Sequence, residues 1–153
     1  MNSISVRLAT EADSKEIFEW RNDELTRQMS HTSEVVEWEG HRRWFENSLS
    51  SQCRLLLICE GIFSEKIAIV RFDLEADDAL VSINLSPNQR GKGFAKDCLS
   101  SSIDYISKKY KDLQYLMAEI KEINLASQKT FLGVGFELYE VKDGMGYYRK
   151  VLG

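Results

Sequence analysis

The apolar residues fall into short alternating runs and longer helical stripes, and their order predicts a mixed α/β chain. Residues 5–9 set Val6 and Leu8 between polar neighbours, the period of two of a half-buried strand. Thr10 follows as an N-cap with Asp13 in the capping-box place, which predicts a helix through about Asn22. A second helix is expected over 34–49, with Val35, Trp38, Arg42, Phe45 and Leu49 on one face and Arg42 the odd member. Residues 53–60 and 65–73, joined at Gly61, read as a hairpin. Residues 79–86 extend the sheet, with Val81, Ile83 and Leu85 on one face and Ser82, Asn84 and Ser86 on the other. A long helix over 93–110 turns Phe94, Cys98, Ile103, Ile106 and Tyr110 inward. A strand at 115–120, a helix at 124–132 and a hairpin of 136–141 with 146–152 complete the chain. No repeat or Pro/Gly-rich linker interrupts this order, and one domain over residues 1–153 is the simplest reading.

Composition narrows the class. The chain is 43% hydrophobic and 29% charged, the balance of a soluble globular domain. Its net charge of -4 argues against a nucleic-acid partner, because a phosphate backbone demands a basic surface. A local cluster of Arg and Lys would still suffice for a small anion. No stretch approaches the roughly 20 apolar residues of a membrane span, and residues 1–10 carry no export pattern. Cys53, Cys59 and Cys98 lack metal-ligand spacing and suit free thiols in a reducing cytoplasm. The expectation is a cytoplasmic protein with no metal and no membrane contact.

The chemistry concentrates where the strand at 79–86 gives way to the helix at 93–110. The sequence there is Asn88-Gln89-Arg90-Gly91-Lys92-Gly93-Phe94-Ala95. Paired glycines permit left-handed backbone, and the first N–H groups of a helix have no internal partners, so the turn is suited to an anion such as a diphosphate. Arg90, Lys92 and Lys96 add positive charge. A P-loop is excluded because Gly93 follows Lys92 where Ser or Thr is required. A dinucleotide fingerprint is excluded because Lys96 stands at the third glycine. A glycine-rich turn that merely starts a helix is the bland alternative.

This loop resembles the acetyl-CoA pyrophosphate loop of the GNAT superfamily, [QR]xxGx[GA], with Asn88 a departure and Gly91 and Gly93 a fit. Asn124, Ser127, Phe131 and Gly135-Phe136 resemble the superfamily's later signature. The resemblance implies a central, mixed, mostly antiparallel sheet of about seven strands flanked by four helices, with strands 4 and 5 splayed. It implies that the backbone of Ile83 and Leu85 binds the pantetheine arm and that the amides of Arg90 to Phe94 hold the pyrophosphate. Asn88, Gln89, Ala95, Asn124, Ser127 and Phe131 complete the expected cofactor contacts. A narrower likeness rests on Trp20-Arg21-Asn22, Glu39-Gly40-His41, Trp44-Phe45, Val70-Arg71-Phe72-Asp73 and Ala118-Glu119-Ile120-Lys121. It is to enzymes that acetylate the 4-amino group of UDP-linked 4-amino-4,6-dideoxy sugars, on routes to pseudaminic acid and related surface glycans. Ribosomal-protein N-terminal acetyltransferases share part of the pattern.

Acetyl transfer to an amine requires a base for the ammonium proton, a donor for the developing oxyanion and a proton for the departing thiolate. Glu119 is the candidate base. The resemblance assigns the oxyanion to a backbone N–H near Leu85 and the thiolate proton to a tyrosine, but that position is Phe131. Either the thiolate leaves unassisted, its thiol having a pKa of about 8.5, or Tyr139 or Ser127 serves. Arg21, Arg27, His41 and Arg71 are the candidates for acceptor binding, since guanidinium forks suit a sugar-nucleotide diphosphate. For His41 a helix-surface or core-edge place is the stronger reading. The acceptor is thus expected to be a small-molecule amine on a nucleotide sugar, with a protein N-terminus as the rival. Phe131 supports a third reading, a CoA-binding module without turnover. The last strands offer an edge on which two copies could pair.

Overall fold

The computed structural model describes residues 3–152. Met1 and Asn2, part of the segment read for an export pattern, and Gly153 lie outside the described residues. In chain order the elements are β1 (Ser5–Leu8), a 3₁₀ turn (Glu11–Asp13), α1 (Ser14–Arg21), α2 (Glu24–Met29) and α3 (Trp38–Ser50). β2 (Arg54–Glu60), β3 (Lys66–Glu75) and β4 (Asp78–Leu85) follow, then a 3₁₀ turn (Pro87–Gln89) and α4 (Phe94–Lys109). β5 (Tyr115–Lys121), α5 (Leu125–Gly133), β6 (Glu137–Lys142) and β7 (Met145–Val151) close the chain. No helix among the described residues is long and apolar enough to cross a membrane.

One seven-stranded sheet runs β1-β2-β3-β4-β5-β7-β6. Every neighbouring pair is antiparallel except β4 and β5. That parallel pair holds only from Asp78–Leu80 against Tyr115–Met117, after which the strands part. The expected splay is therefore present. β2 and β3 are buried on both faces, which explains their unbroken apolar runs. On one face Leu57, Val70, Phe72 and Val81 pack against Leu99 and Ile106 of α4. On the other, Leu56, Ile58 and Ile69 pack against Ile17 and Trp20 of α1 and Phe45 of α3. β6 forms the outer edge and is exposed along its length.

Asp13 fixes the entry to α1. Its carboxylate is 1% exposed and accepts from the Thr10 N–H at 2.8 Å, from Arg7 at 2.9 Å, and pairs with Lys66 at 2.8 Å. Burial would raise its pKa, but these partners outweigh burial and hold it well below the usual carboxylate range.

Two expectations about the helices need correction. Five α-helices occur among the described residues rather than four. The extra one, α2, buries none of its residues and is started by Asp23, whose Oδ2 accepts from the Thr26 N–H at 3.1 Å. The second predicted helix begins at Trp38, not at 34. Asn22 grips Val36 by two bonds, donating to its carbonyl at 2.8 Å and accepting from its N–H at 2.7 Å, which keeps that segment extended. The buried stripe of α3 is consequently His41, Phe45 and Ser48. Arg42 lies on the outer side, paired with Glu39 and Glu46.

Candidate active site

Two sides of the splay offer different chemistry. On the β4 side it is backbone. Ser86 donates its N–H to Ile67 of β3 at 2.8 Å. Peptide groups alternate edges along a strand, so those of Ile83 and Leu85 point the other way, toward β5, where pairing has already ended. Their N–H and C=O groups line the gap. Gly91 and Gly93 have φ of +73° and +80°, and a Cβ on either would meet nothing within 4 Å. Glycine is needed there for its backbone conformation and not for want of space. α4 starts at once after Gly93 without a side-chain cap, leaving its first amides to a ligand. Asn88 and Lys92 are exposed at this turn, Gln89 and Ala95 are partly covered, and Phe94 packs against the core. A diphosphate fits this combination of left-handed glycines and open helix amides.

Arg90 differs from expectation. Its guanidinium is bound to Asp23 Oδ2 and, at 2.7 Å, to Thr26 Oγ1. It ties the cofactor turn to α2 rather than standing free for a phosphate.

On α5, Asn124 Oδ1 accepts from the Ser127 N–H at 3.2 Å and caps the helix. The pair thus has a local structural role whatever else it contacts. Phe131 is 2% exposed and packs edge-on against Phe136 at 4.9 Å between ring centres. It is a core residue in this structure. The reason is its ring, which has no polar atom to hold at the cleft.

The opposite side of the site is built from side chains. Alternation on β2 to β7 brings Arg54, Arg71, Asp73, Ser82, Met117, Glu119 and Tyr147 to one face, under α1 to α3. Three guanidiniums surround Trp44: Arg21 at 4.5 Å, Arg54 at 5.7 Å and Arg71 at 5.8 Å from its ring centre. Asp73 is the carboxylate among them, 2.6 Å from Arg54 and 3.3 Å from Arg71. Burial, reinforced by Arg71, lowers the pKa of Arg21; burial also lowers that of Arg71, opposed by Asp73 and aided by Arg54. The cluster is crowded with like charge and would gain from an anion.

Arg21 is held from behind by His41. The ring is fully buried, Nε2–H donates to the Ser14 carbonyl at 2.9 Å, and Arg21 Nη1–H donates to Nδ1 at 2.9 Å. A carbonyl only accepts and a guanidinium only donates, so the ring is neutral with its proton on Nε2. Burial and Arg21 lower its pKa against the Ser14 bond. His41 therefore positions Arg21 and does not itself line the acceptor site. Arg27 is also diverted: it donates to the Asn22 carbonyl at 3.2 Å and the Ser33 carbonyl at 3.1 Å, holding its own segment.

Beside the arginines, and sharing Asp73 with them, lies a cavity of about 310 Å³. Glu75, Asp78, Glu119, Tyr139 and Tyr147 are on its wall. Glu119 is 34% exposed and its Oε1 lies 3.0 Å from Nε2 of His31. The sequence reading missed Arg54 and His31. Arg54 had a signal, since a hairpin closed at Gly61 sets it directly across from Asp73. His31 had none, because it sits in an irregular segment.

A strand splay lined by peptide groups opens on a glycine turn at a helix N-terminus, with a cavity beside it. The family model for acetyltransferase (GNAT) domains matches residues 4–137, and the chain belongs to that family. It is an acetyltransferase, and acetyl-CoA is its acyl donor. No curated protein sequence matches it. Among solved structures it is similar to spermidine N-acetyltransferase from Vibrio cholerae in complex with CoA and spermine, at TM-score 0.87 and 14% identity over 99% of this chain and 96% of that one. It is also similar to a domain from Methanocaldococcus jannaschii, at TM-score 0.84 and 22% identity over 97% and 98%. A third likeness is to AAC(6')-Ib with ribostamycin and coenzyme A, at TM-score 0.84 and 17% identity over 98% and 94%. At these identities the likeness is one of fold.

Proposed function

We propose that the chain acetylates a primary amine on an acceptor that also carries an anionic group, namely the 4-amino group of a UDP-linked 4-amino-4,6-dideoxy sugar. The observation that carries this reading is the trio of Arg21, Arg54 and Arg71 around Trp44, with Asp73 paired to Arg54 and Arg71 alone. A purely cationic amine would be repelled there. A diphosphate would be held by charge-assisted forks from the arginines. The amine end of the same molecule would enter the adjoining cavity, whose carboxylates and tyrosines suit an ammonium.

Acetyl-CoA supplies an acetyl thioester to this chamber. Glu119 takes the proton that an ammonium must lose before nitrogen can attack. The unpaired N–H groups of β4 stand where a developing oxyanion needs donors. With Phe131 in the core, the thiolate departs without a tyrosine at that position, and Tyr139 and Tyr147 are the phenols nearest Glu119 in the cavity wall. The test is CoA release from acetyl-CoA with three acceptors: the UDP-4-amino sugar, a peptide with a free N-terminus, and spermidine. Turnover confined to the nucleotide sugar supports the reading. Preference for spermidine refutes the anionic acceptor, and preference for the peptide selects the N-terminal acetyltransferase alternative.

A further inference from the structure

Glu119 does not stand alone in its cavity. Its Oε1 is 3.0 Å from His31 Nε2, although 88 residues separate the two in sequence. Glu119 comes from the part of β5 beyond its pairing with β4, and His31 from the segment between α2 and α3. That segment is fastened on both sides of His31. Lys121 Nζ donates to the Gln28 carbonyl at 2.9 Å, and Arg27 donates to the Ser33 carbonyl at 3.1 Å. The Ser30 hydroxyl adds a bond to the Thr26 carbonyl at 2.7 Å. The imidazole is placed by this framework and is not a dangling surface group.

We propose that His31 is a proton relay for the reaction, passing to water the proton that Glu119 removes from the acceptor. This rests on the acetyltransferase reading of Glu119 above. The exposures give the relay its direction: Glu119, at 34%, borders the cavity, while the His31 side chain is 61% exposed to solvent. An imidazole gains and loses a proton near neutral pH and has two nitrogens, so it can accept on one and release from the other.

The balance requires such an exit. An ammonium acceptor and a thioester become an amide, a thiol and one free proton. An N–H bond of the ammonium breaks and its proton joins the Glu119 carboxylate. It then moves from Oε1 to Nε2 of His31, and the imidazolium releases its Nδ1 proton to water. The nitrogen lone pair is left to form the C–N bond as the C–S bond breaks, and a second N–H proton of the same nitrogen passes to the departing thiolate to give the thiol. The charged and titratable groups on the sheet face beneath the relay are Glu119 and Lys121 on β5 and Tyr147 and Arg149 on β7. Glu34 is near on its own segment. Lys121 is occupied with Gln28, and Tyr147 lies directly across from Glu119.

An exposed ion pair of this kind contributes little to stability, so a structural role and a relay predict different things. The full chain, with His31→Gln and His31→Ala, would be assayed for CoA release across pH 5.5–9, with and without added imidazole. Acetyl-CoA affinity and thermal midpoint would be read in parallel. The relay predicts unchanged cofactor binding and thermal midpoint, with kcat down by about tenfold or more. The loss should be deepest near neutral pH, where the acceptor is an ammonium and an imidazole still accepts a proton, and imidazole should restore His31→Ala. Wild-type kcat and pH profile in His31→Gln would overturn the relay alone. So would a loss confined to KM, or one that imidazole does not touch. A wild type that binds acetyl-CoA but turns over none of the amines would overturn the acetyltransferase reading of Glu119 and the relay with it.

Discussion

Along the β4–α4 side of the cleft, the groups offered to a ligand are peptide N–H and C=O; across the sheet face they are guanidinium, carboxylate, imidazole and phenol. The first side needs only a strand end, two left-handed glycines and an uncapped helix, all contiguous in sequence. The second gathers Arg21 from α1, Trp44 from α3, Arg54 and Arg71 from β2 and β3, Glu119 from β5 and His31 from an irregular segment. Backbone recognition tolerates changes of side chain; side-chain recognition does not. The same fold can thus keep one donor while its acceptor changes with a few surface residues.

That contrast can be broken by substitution. The largest effect is expected at Glu119→Gln, with kcat down by about 10²–10⁴ and acetyl-CoA affinity unchanged; a mutant of wild-type kcat would remove Glu119 from the chemistry. Arg21→Met keeps a stem over Trp44 but removes the charge. Acceptor KM should rise by roughly 10- to 100-fold, as for loss of a charged hydrogen bond, while KM for acetyl-CoA stays put. Equal changes in both would erase the division between the two sides.

On the backbone side, Gly93→Ala forces an L-residue into left-handed conformation. It should destabilise the fold by about 1 kcal/mol and weaken acetyl-CoA, read by calorimetry, by roughly tenfold. Arg90→Met should weaken acetyl-CoA only about two- to threefold, the size of a surface charge effect, because its guanidinium is engaged by Asp23 and Thr26. A loss of hundredfold would mean that Arg90 leaves Asp23 for the pyrophosphate.

The smallest effect concerns pH. Burial, with Arg21, lowers the His41 pKa in the folded chain, so the unfolded chain binds the proton first. Its contribution to stability is present above the unfolded value of about 6.5 and is lost as pH falls below it toward the folded pKa. Protonating Nδ1 also removes the acceptor of the Arg21 bond. Acceptor KM should therefore rise a few-fold at the acid end of the profile, and His41→Asn should flatten that rise. A rise retained in His41→Asn would assign it to another group.

The local signals in the sequence served well wherever neighbouring residues decide the outcome. Alternation and short apolar runs bounded by turns together located all seven strands, and β2 to β4 bury their apolar side chains in register. The Thr10–Asp13 pair marked the start of the first helical segment, since caps are bonds between residues three apart. The glycine turn could be read directly, as left-handed backbone is glycine's own province.

Elsewhere the periodicity misled. It ran the second helix back to residue 34, where the grip of Asn22 on Val36 overrides propensity, and it gave no hint of α2. Side-chain assignments fared least well. Arg27 and Arg90 were chosen for their chemistry, but each is spent on another part of the protein, while His41 took the core place that was its stronger reading. Phe131 stood in a motif position and went into the core. By itself the sequence determined the seven strands, the glycine turn and the family, because these depend on contacts within a few residues or on contiguous motifs. Only the tertiary structure decided which arginines are free to meet a ligand and which histidine meets Glu119, because those pairings are made across strands and segments up to 88 residues apart.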